Sequence, residues 1–451
     1  MVADITLPGE SGQLPAALPK RGASTTPPDE NFLRQCIHCG ICLPVCPTYN
    51  LTLREISSPR GRLRMMRNVA DGIMPLSETF MQEMFFCLDC RACETACPAG
   101  VNYGALVESA RAQVFEARVE QGTGSWLQRI VLRHLFTSPA RLRFMARGFY
   151  WLQRSGLWAL VINLGLTRLL GARVHAAAHL APRMEARFTF ARLPHVLPAR
   201  GTRRFRVGLL VGCVQDVAFA AVNEDTAEVL RSAGCEVVVP RDQRCCGSLH
   251  GHSGDTSTAR QLAGMNIKTF EALGLDAVIV NAAGCGSFMK AYDRLLEPQP
   301  ELRARAEEFS RRVKDFSEFL VEIGLPALSS RYEVAATAYH DACHLAHGQR
   351  ITHQPRELVR AVVGDQYREL VEADWCCGSA GIYNLTHPAT ARELLDRKIE
   401  NLVESRAERC IAANPGCLIQ LRDGIKRAGL SIEVLHPATL LRRALAAPPT
   451  S

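Results

Sequence analysis

The 451-residue chain lacks any apolar stretch long enough to cross a bilayer. Its longest interior charge-free run of interest, "SGLWALVINLGLT" at 155–167, falls short of the roughly 20 residues a spanning helix needs. The first residues, "MVADITLPGESGQLPAALPK", offer no basic region followed by an apolar core, so no secretory leader is expected. No Gly-x-Gly-x-x-Gly follows a strand and opens a helix; "GCGSF" and "GLLVG" do not qualify, which excludes a dinucleotide-binding turn in this chain. Acids are nearly missing from residues 121–200, where Glu185 faces twelve arginines. The formal charge of +8 is therefore a regional feature. These absences favour a cytoplasmic protein, at most peripheral on the inner face of the cell membrane.

What the chain has in excess is cysteine, eighteen in all. Structural disulfides are rare in the cytoplasm, so this number points to metal ligation or redox chemistry. The pattern is ordered. Residues 36–47 read "CIHCGICLPVCP" and residues 87–98 read "CLDCRACETACP". Both follow Cys-x2-Cys-x2-Cys-x3-Cys-Pro. In such a ruler three thiolates wrap one cubane cluster and the fourth, before proline, ligates the other. One cluster would take Cys36, Cys39, Cys42 and Cys97, and the other Cys87, Cys90, Cys93 and Cys46. Four-cysteine zinc sites also use Cys-x2-Cys pairs, but they rarely need a third cysteine at the same step or the proline. Two [4Fe–4S] clusters are expected.

From residue 204 the texture changes. "FRVGLLVGCV" (205–214), "CEVVVP" (235–240) and "AVIVNAAGC" (277–285) are short β-branched runs between helical stretches, the pattern of a parallel α/β unit. The unit repeats. Cys213 parallels Cys343, the pair Cys245–Cys246 parallels Cys376–Cys377, and Cys285 parallels Cys417. The gaps agree to one residue: 31 against 32 between the first two positions, then 38 against 39. Open α/β sheets place their sites beyond the carboxyl ends of the strands, where these cysteines fall. Gly212, Gly247, Gly284 and Gly286 in the first repeat, and Gly378, Gly381 and Gly416 in the second, would let backbone approach closely. These eight cysteines are candidates for a further cluster in each repeat, for a thiol–disulfide site or for a partner surface. Cys235 and Cys410 read as small buried thiols. His250 and His252 lie near the first set in sequence, and His340, His344 and His347 near the second. Each is a candidate ligand or proton carrier, and a polar loop histidine is the commoner case.

The expected fold class is thus α+β and multidomain. Residues 1–30 form an arm and 31–115 an α-helical di-cluster ferredoxin-type domain. An Arg-rich helical linker covers 116–203, and two α/β repeats carrying the Cys-Cys-Gly (CCG) motif cover 204–325 and 333–445. The linker arginines alternate with Leu, Phe and Trp at helical steps ("WLQRIVLRHLF", "RLRFMARGFYWLQR"). This suits helices against an anionic membrane surface or an acidic partner, or packed on the domain itself, better than a phosphate-tracking groove. No nucleic-acid partner is expected.

The phrases "CIHCGICLPVCPTYN", "SPRGRLRMM", "HLFTSPARLR", "DACHLAHGQ", "CCGSAGIYNLTHP" and "ANPGCLIQL" resemble the iron–sulfur subunit of glycolate oxidase over residues 31–445. Relatives of that family occur among lactate-utilisation proteins, anaerobic glycerol-3-phosphate dehydrogenase and heterodisulfide reductase. The resemblance implies an oxidoreductase subunit that carries electrons toward a membrane quinone or another acceptor. Oxidation of the 2-hydroxy acid, and the FAD that performs it, would belong to a partner flavoprotein, leaving no catalytic residue here. A lactate or glycerol-3-phosphate dehydrogenase subunit is the alternative, or an enzyme acting at the CCG cysteines as in heterodisulfide reductase. Against the last, relatives of the heterodisulfide type end each motif in Cys-x2-Cys, where this chain has "CGSF" (285–288) and "CLIQ" (417–420).

Overall fold

The computed structural model describes residues 28–121, 130–329 and 335–445. The N-terminal arm expected over 1–30 lies, up to residue 27, outside them. The protein is helix-rich α+β.

Between residues 28 and 121 the described chain forms helices and no strand. The helices are α1 (Glu30–Arg34), α2 (Pro47–Thr52), α3 (Pro59–Ala70), α4 (Glu78–Phe86), α5 (Ala92–Ala96) and α6 (Tyr103–Glu120). Side-chain oxygens start them: Asp29 caps α1, Ser58 caps α3, Ser77 caps α4 and Asn102 caps α6. Pro47 and Pro59 occupy first-turn positions, where no amide hydrogen is needed. The cysteines fall at the ends. Cys46 precedes α2, Cys87 ends α4 and Cys97 ends α5. Leu63, Met66, Phe80, Met84, Leu106 and Val107 close the core between α3, α4 and α6.

The linker is helical over Pro139–Arg154, Leu157–Asn163 and Ala172–Leu180. It then contributes a strand, β1 (Val196–Leu197), which pairs antiparallel with β3 (Cys235–Val238) of the first repeat. The first sheet therefore begins before residue 204, because β1 covers the edge that β3 would otherwise leave open. The remaining strands are parallel: β2 (Phe205–Leu209), β4 (Ala277–Val280) and β5 (Val313–Asp315), in the order β1-β3-β2-β4-β5. The second sheet, β6 (Thr337–His340), β7 (Tyr367–Arg368), β8 (Arg409–Ala412) and β9 (Glu433–Leu435), runs β7-β6-β8-β9. Without the edge strand β1 the two orders are the same, as an internal duplication requires. In both, the strand order reverses at the central strand, so the loops after three strands converge at one carboxyl edge.

Candidate metal centres and the cavity between the repeats

In each repeat those three loops carry the cysteines. Cys213 follows β2, Cys245 and Cys246 follow β3, and Cys285 follows β4. Cys343, Cys376–Cys377 and Cys417 follow β6, β7 and β8. Cys245 and Cys213 approach to 3.7 Å, Sγ to Sγ. The residue after each Cys-Cys pair must be glycine for a backbone reason. Gly247 has φ +88 and Gly378 φ +82, a left-handed conformation that L side chains rarely adopt. A Cβ on Gly378 would also meet the Ala391 carbonyl oxygen at 2.5 Å.

The ruler cysteines divide by depth. Cys46, Cys87, Cys90 and Cys93 are buried, Cys36, Cys42 and Cys97 are half-buried, and Cys39 is exposed. Burial pushes Cys93 up, and the charges of Cys90, Cys87 and Cys46 add to it. Cys46, from the first ruler, is therefore near enough to act on the cysteines of the second. Burial also pushes Cys42 up, to about 11, with Cys36 and Cys46 contributing. The fully buried Arg62 supports this packing. It donates to the Glu83 carbonyl at 2.7 Å and to Thr48 Oγ1 at 3.0 Å, and pairs with the Glu83 carboxylate at 3.1 Å. Tyr103 donates to Cys87 Sγ at 3.7 Å and the Asp89 amide reaches the same sulfur at 3.3 Å. Hydrogen bonds of this kind to cluster sulfurs help set a reduction potential.

The second ruler wedges between the repeats. Cys90 packs with Cys376 and Cys343 in one apolar cluster. His344 Nε2 donates to the Asp89 carbonyl at 2.8 Å, Thr95 Oγ1 meets His347 Nδ1 at 2.9 Å, and Arg350 donates to the Glu94 carbonyl at 3.3 Å. Toward the first repeat, His252 Nδ1 lies 3.0 Å from both Asp89 and Glu108. Burial opposes a charge on His252, but the two carboxylates outweigh it and lift the imidazole to about 9. Arg111 donates to the carbonyls of His252, Cys87 and Met84. A cavity of about 810 Å³ opens beside this junction. Cys87, all four motif cysteines of each repeat, Arg111, His252 and His344 line it, together with Phe136, Leu142, Met145 and Phe149 of the linker.

The other candidate histidines separate. His250 Nε2 is bonded to the Leu132 carbonyl at 2.9 Å and ties the linker down. His340 is buried at the end of β6, beside Cys377 and Cys417. Sequence patterning missed Asp89, Glu108 and Arg111. Asp89 stands inside the second ruler, at the position His38 holds in the first, which was the available signal. Most described linker arginines stay exposed, but several of them reach acids. Arg133 clasps Asp255 (2.6 and 3.0 Å), Arg143 pairs with buried Asp216 at 2.6 Å, and Arg192 bridges Glu185 and Glu224.

The donor chemistry fits metal. All eighteen cysteines are free thiols. Burial and mutual repulsion disfavour several of them as thiolates, so a cation in their midst would resolve the conflict. The fold and these cysteine sets define a protein with a two-cluster iron–sulfur domain followed by two cysteine-rich domains. Residues 32–101 match the family model described as a 4Fe-4S dicluster domain, and residues 207–290 and 337–422 match the cysteine-rich domain. Residues 123–181 match the linker region of the glycolate oxidase iron-sulfur subunit. The chain is 39% identical over 420 residues to the probable glycolate oxidase iron-sulfur subunit of Bacillus subtilis, covering 92% of this chain and 95% of that one. It is 32% identical to the glycolate oxidase iron-sulfur subunit of Escherichia coli, over 87% and 90% of the two chains. Lactate utilization protein A of Oceanobacillus iheyensis is 29% identical over 52% of this chain and 96% of its own length. The chain belongs to the glycolate oxidase iron–sulfur subunit family.

Proposed function

We propose that this chain is the electron-transfer subunit of a flavin-dependent 2-hydroxy-acid dehydrogenase, with glycolate as the substrate. A flavoprotein partner oxidises glycolate to glyoxylate, releasing two electrons and two protons, and this chain conducts the electrons to an acceptor. The helical di-cluster domain spans 31–115, the linker 116–203, and the repeats 204–325 and 333–445. Cys36, Cys39, Cys42 and Cys97 hold one [4Fe–4S] cluster, and Cys87, Cys90, Cys93 and Cys46 the other. Each motif set, Cys213/Cys245/Cys246/Cys285 and Cys343/Cys376/Cys377/Cys417, holds a further metal centre. Bound clusters supply one-electron transfer; the protein residues set where electrons enter and leave.

The observation that carries this reading is the wedge of the second ruler, with Cys90 against Cys343 and Cys87 on the wall of the cavity that all eight motif cysteines share. The direction follows from exposure. Cys39 is exposed, and Ile37, Ile41 and Leu53 around the first ruler are 67%, 52% and 75% exposed. This apolar rim suits docking of the flavoprotein and entry of electrons. The far end is the cavity, beside linker helices that expose Phe144, Trp151, Leu164 and Leu169. That face suits a membrane surface carrying a quinone, although no helix among the described residues is long and apolar enough to cross a membrane.

The test is reconstitution with the flavoprotein partner. Ile37→Glu with Ile41→Glu should abolish glycolate-dependent cluster reduction while dithionite still reduces the clusters. Unchanged glycolate-dependent reduction in that variant would exclude entry at the first ruler.

A further inference from the structure

The two repeats differ at one position that faces their cysteines. Three residues before Cys213 the first repeat has Leu210, and three residues before Cys343 the second has His340. Both side chains are 1% exposed. Leu210 packs into an apolar core. Neither ring nitrogen of His340 has a nitrogen or oxygen partner among the described residues; the group beside it is the Cys377 thiol. A buried polar ring with no nitrogen or oxygen partner is costly, so a ring placed there calls for another kind of partner. The geometry supplies one. A ring nitrogen of His340 and the sulfurs of Cys377 and Cys417 all lie within 4.8 Å of one another. Imidazole nitrogen and thiolate are a ligand combination suited to both zinc and iron.

We propose that His340 is a metal ligand of the second repeat. Resting on the reading that the motif cysteines bind metal, this makes the two centres chemically different. The first repeat offers four thiolates, Cys213, Cys245, Cys246 and Cys285, with leucine at the equivalent place. The second offers Cys343, Cys376, Cys377 and Cys417 with an added neutral nitrogen donor. The duplicated unit thus holds a thiolate-only centre and a mixed centre lining one cavity.

The experiment uses full-length protein purified anaerobically, grown with natural-abundance or 15N-labelled histidine. Metal content and acid-labile sulfide are measured first, then nitrogen hyperfine couplings of the reduced protein by pulsed EPR. The expected result is metal beyond the roughly eight irons of two cubanes. It should come with a directly bound nitrogen coupling that changes with the label. That coupling should disappear in His340→Leu and persist in His347→Gln, whose ring instead meets Thr95. If the additional metal is zinc, zinc-edge X-ray absorption reads the same point. A nitrogen shell at about 2.0–2.1 Å should accompany sulfur at about 2.3 Å and be lost in His340→Leu. Metal in the repeats with only sulfur ligation overturns the role of His340 and leaves metal binding by the repeats intact. Metal limited to the rulers' irons overturns both. If His340→Leu fails to fold, the label-dependent coupling in the unmodified protein decides by itself.

Discussion

His436 of the second repeat donates from Nε2 to the carbonyl oxygen of Asn281 in the first, at 2.8 Å, while its Nδ1 accepts the Ala438 amide at 3.1 Å. The ring must be neutral to do both. Its bond stitches the end of the first repeat's central region to the cap of the second repeat's last helix, Pro437–Ala444. Nearby, the Ala283 amide donates to the Ala413 carbonyl at 3.1 Å, so the repeats are joined beside the cysteine loops.

Burial lowers His436 from the ordinary 6.5 to about 4. The unfolded chain takes up the proton first as pH falls. The contribution to stability is thus complete above pH 6.5 and declines between 6.5 and 4. At pH 5.5 the loss is on the order of 1 kcal/mol. Denaturation midpoints at pH 7.5 and 5.5 should converge between the wild type and His436→Gln by about this amount. An unchanged gap would show that His436 does not titrate as buried.

Exchange of the fourth ligand between the rulers has a specific consequence. Cys97→Ser should damage the cluster held by Cys36, Cys39 and Cys42, and leave the one held by Cys87, Cys90 and Cys93. Iron content and low-temperature EPR distinguish the two. Loss of only the latter cluster would reverse the pairing.

Gly378→Ala should cost more than about 1 kcal/mol from the left-handed backbone alone, and the clash with the Ala391 carbonyl adds to that. The Cys376–Cys377 loop would shift with it. We expect a lower melting temperature together with loss of metal from the second repeat. Gly429→Ala, which has φ +67 but nothing within 4 Å of its added Cβ, should show only the first effect.

Arg62→Met would leave Glu83 without its cation and remove the guanidinium donor to Thr48. Breaking a buried pair in this way typically costs about 3–5 kcal/mol. The arginine charge also acts on Cys87 and Cys46. Its removal should therefore lower the reduction potential of that cluster, since reduction adds negative charge there. Redox titration and thermal melting of the variant read the two effects separately.

Much of this protein was determined by its sequence taken alone. Cysteine spacing is a short-range geometric constraint, so "CIHCGICLPVCP" and "CLDCRACETACP" carried the two-cluster reading, and the matched gaps of the CCG units carried the duplication. The β-branched runs marked β2, β3 and β4 because strand periodicity is local. What depended on contacts between distant residues was settled only by the tertiary structure. Periodicity in the linker left open whether its arginines face outward. Folding brings Arg143 and Arg133 onto Asp216 and Asp255, whose burial demands a cation. Nor could spacing show that Asp89 would meet His252 and His344, or that Cys90 would pack on Cys343. Likewise, five histidines near the motifs looked alike in one dimension. Only packing separated His250, bonded to Leu132, from His340, buried beside two thiols with no nitrogen or oxygen partner among the described residues. Ligand identity and chain order are written locally, whereas burial, pairing and the shared cavity arise from where the domains dock.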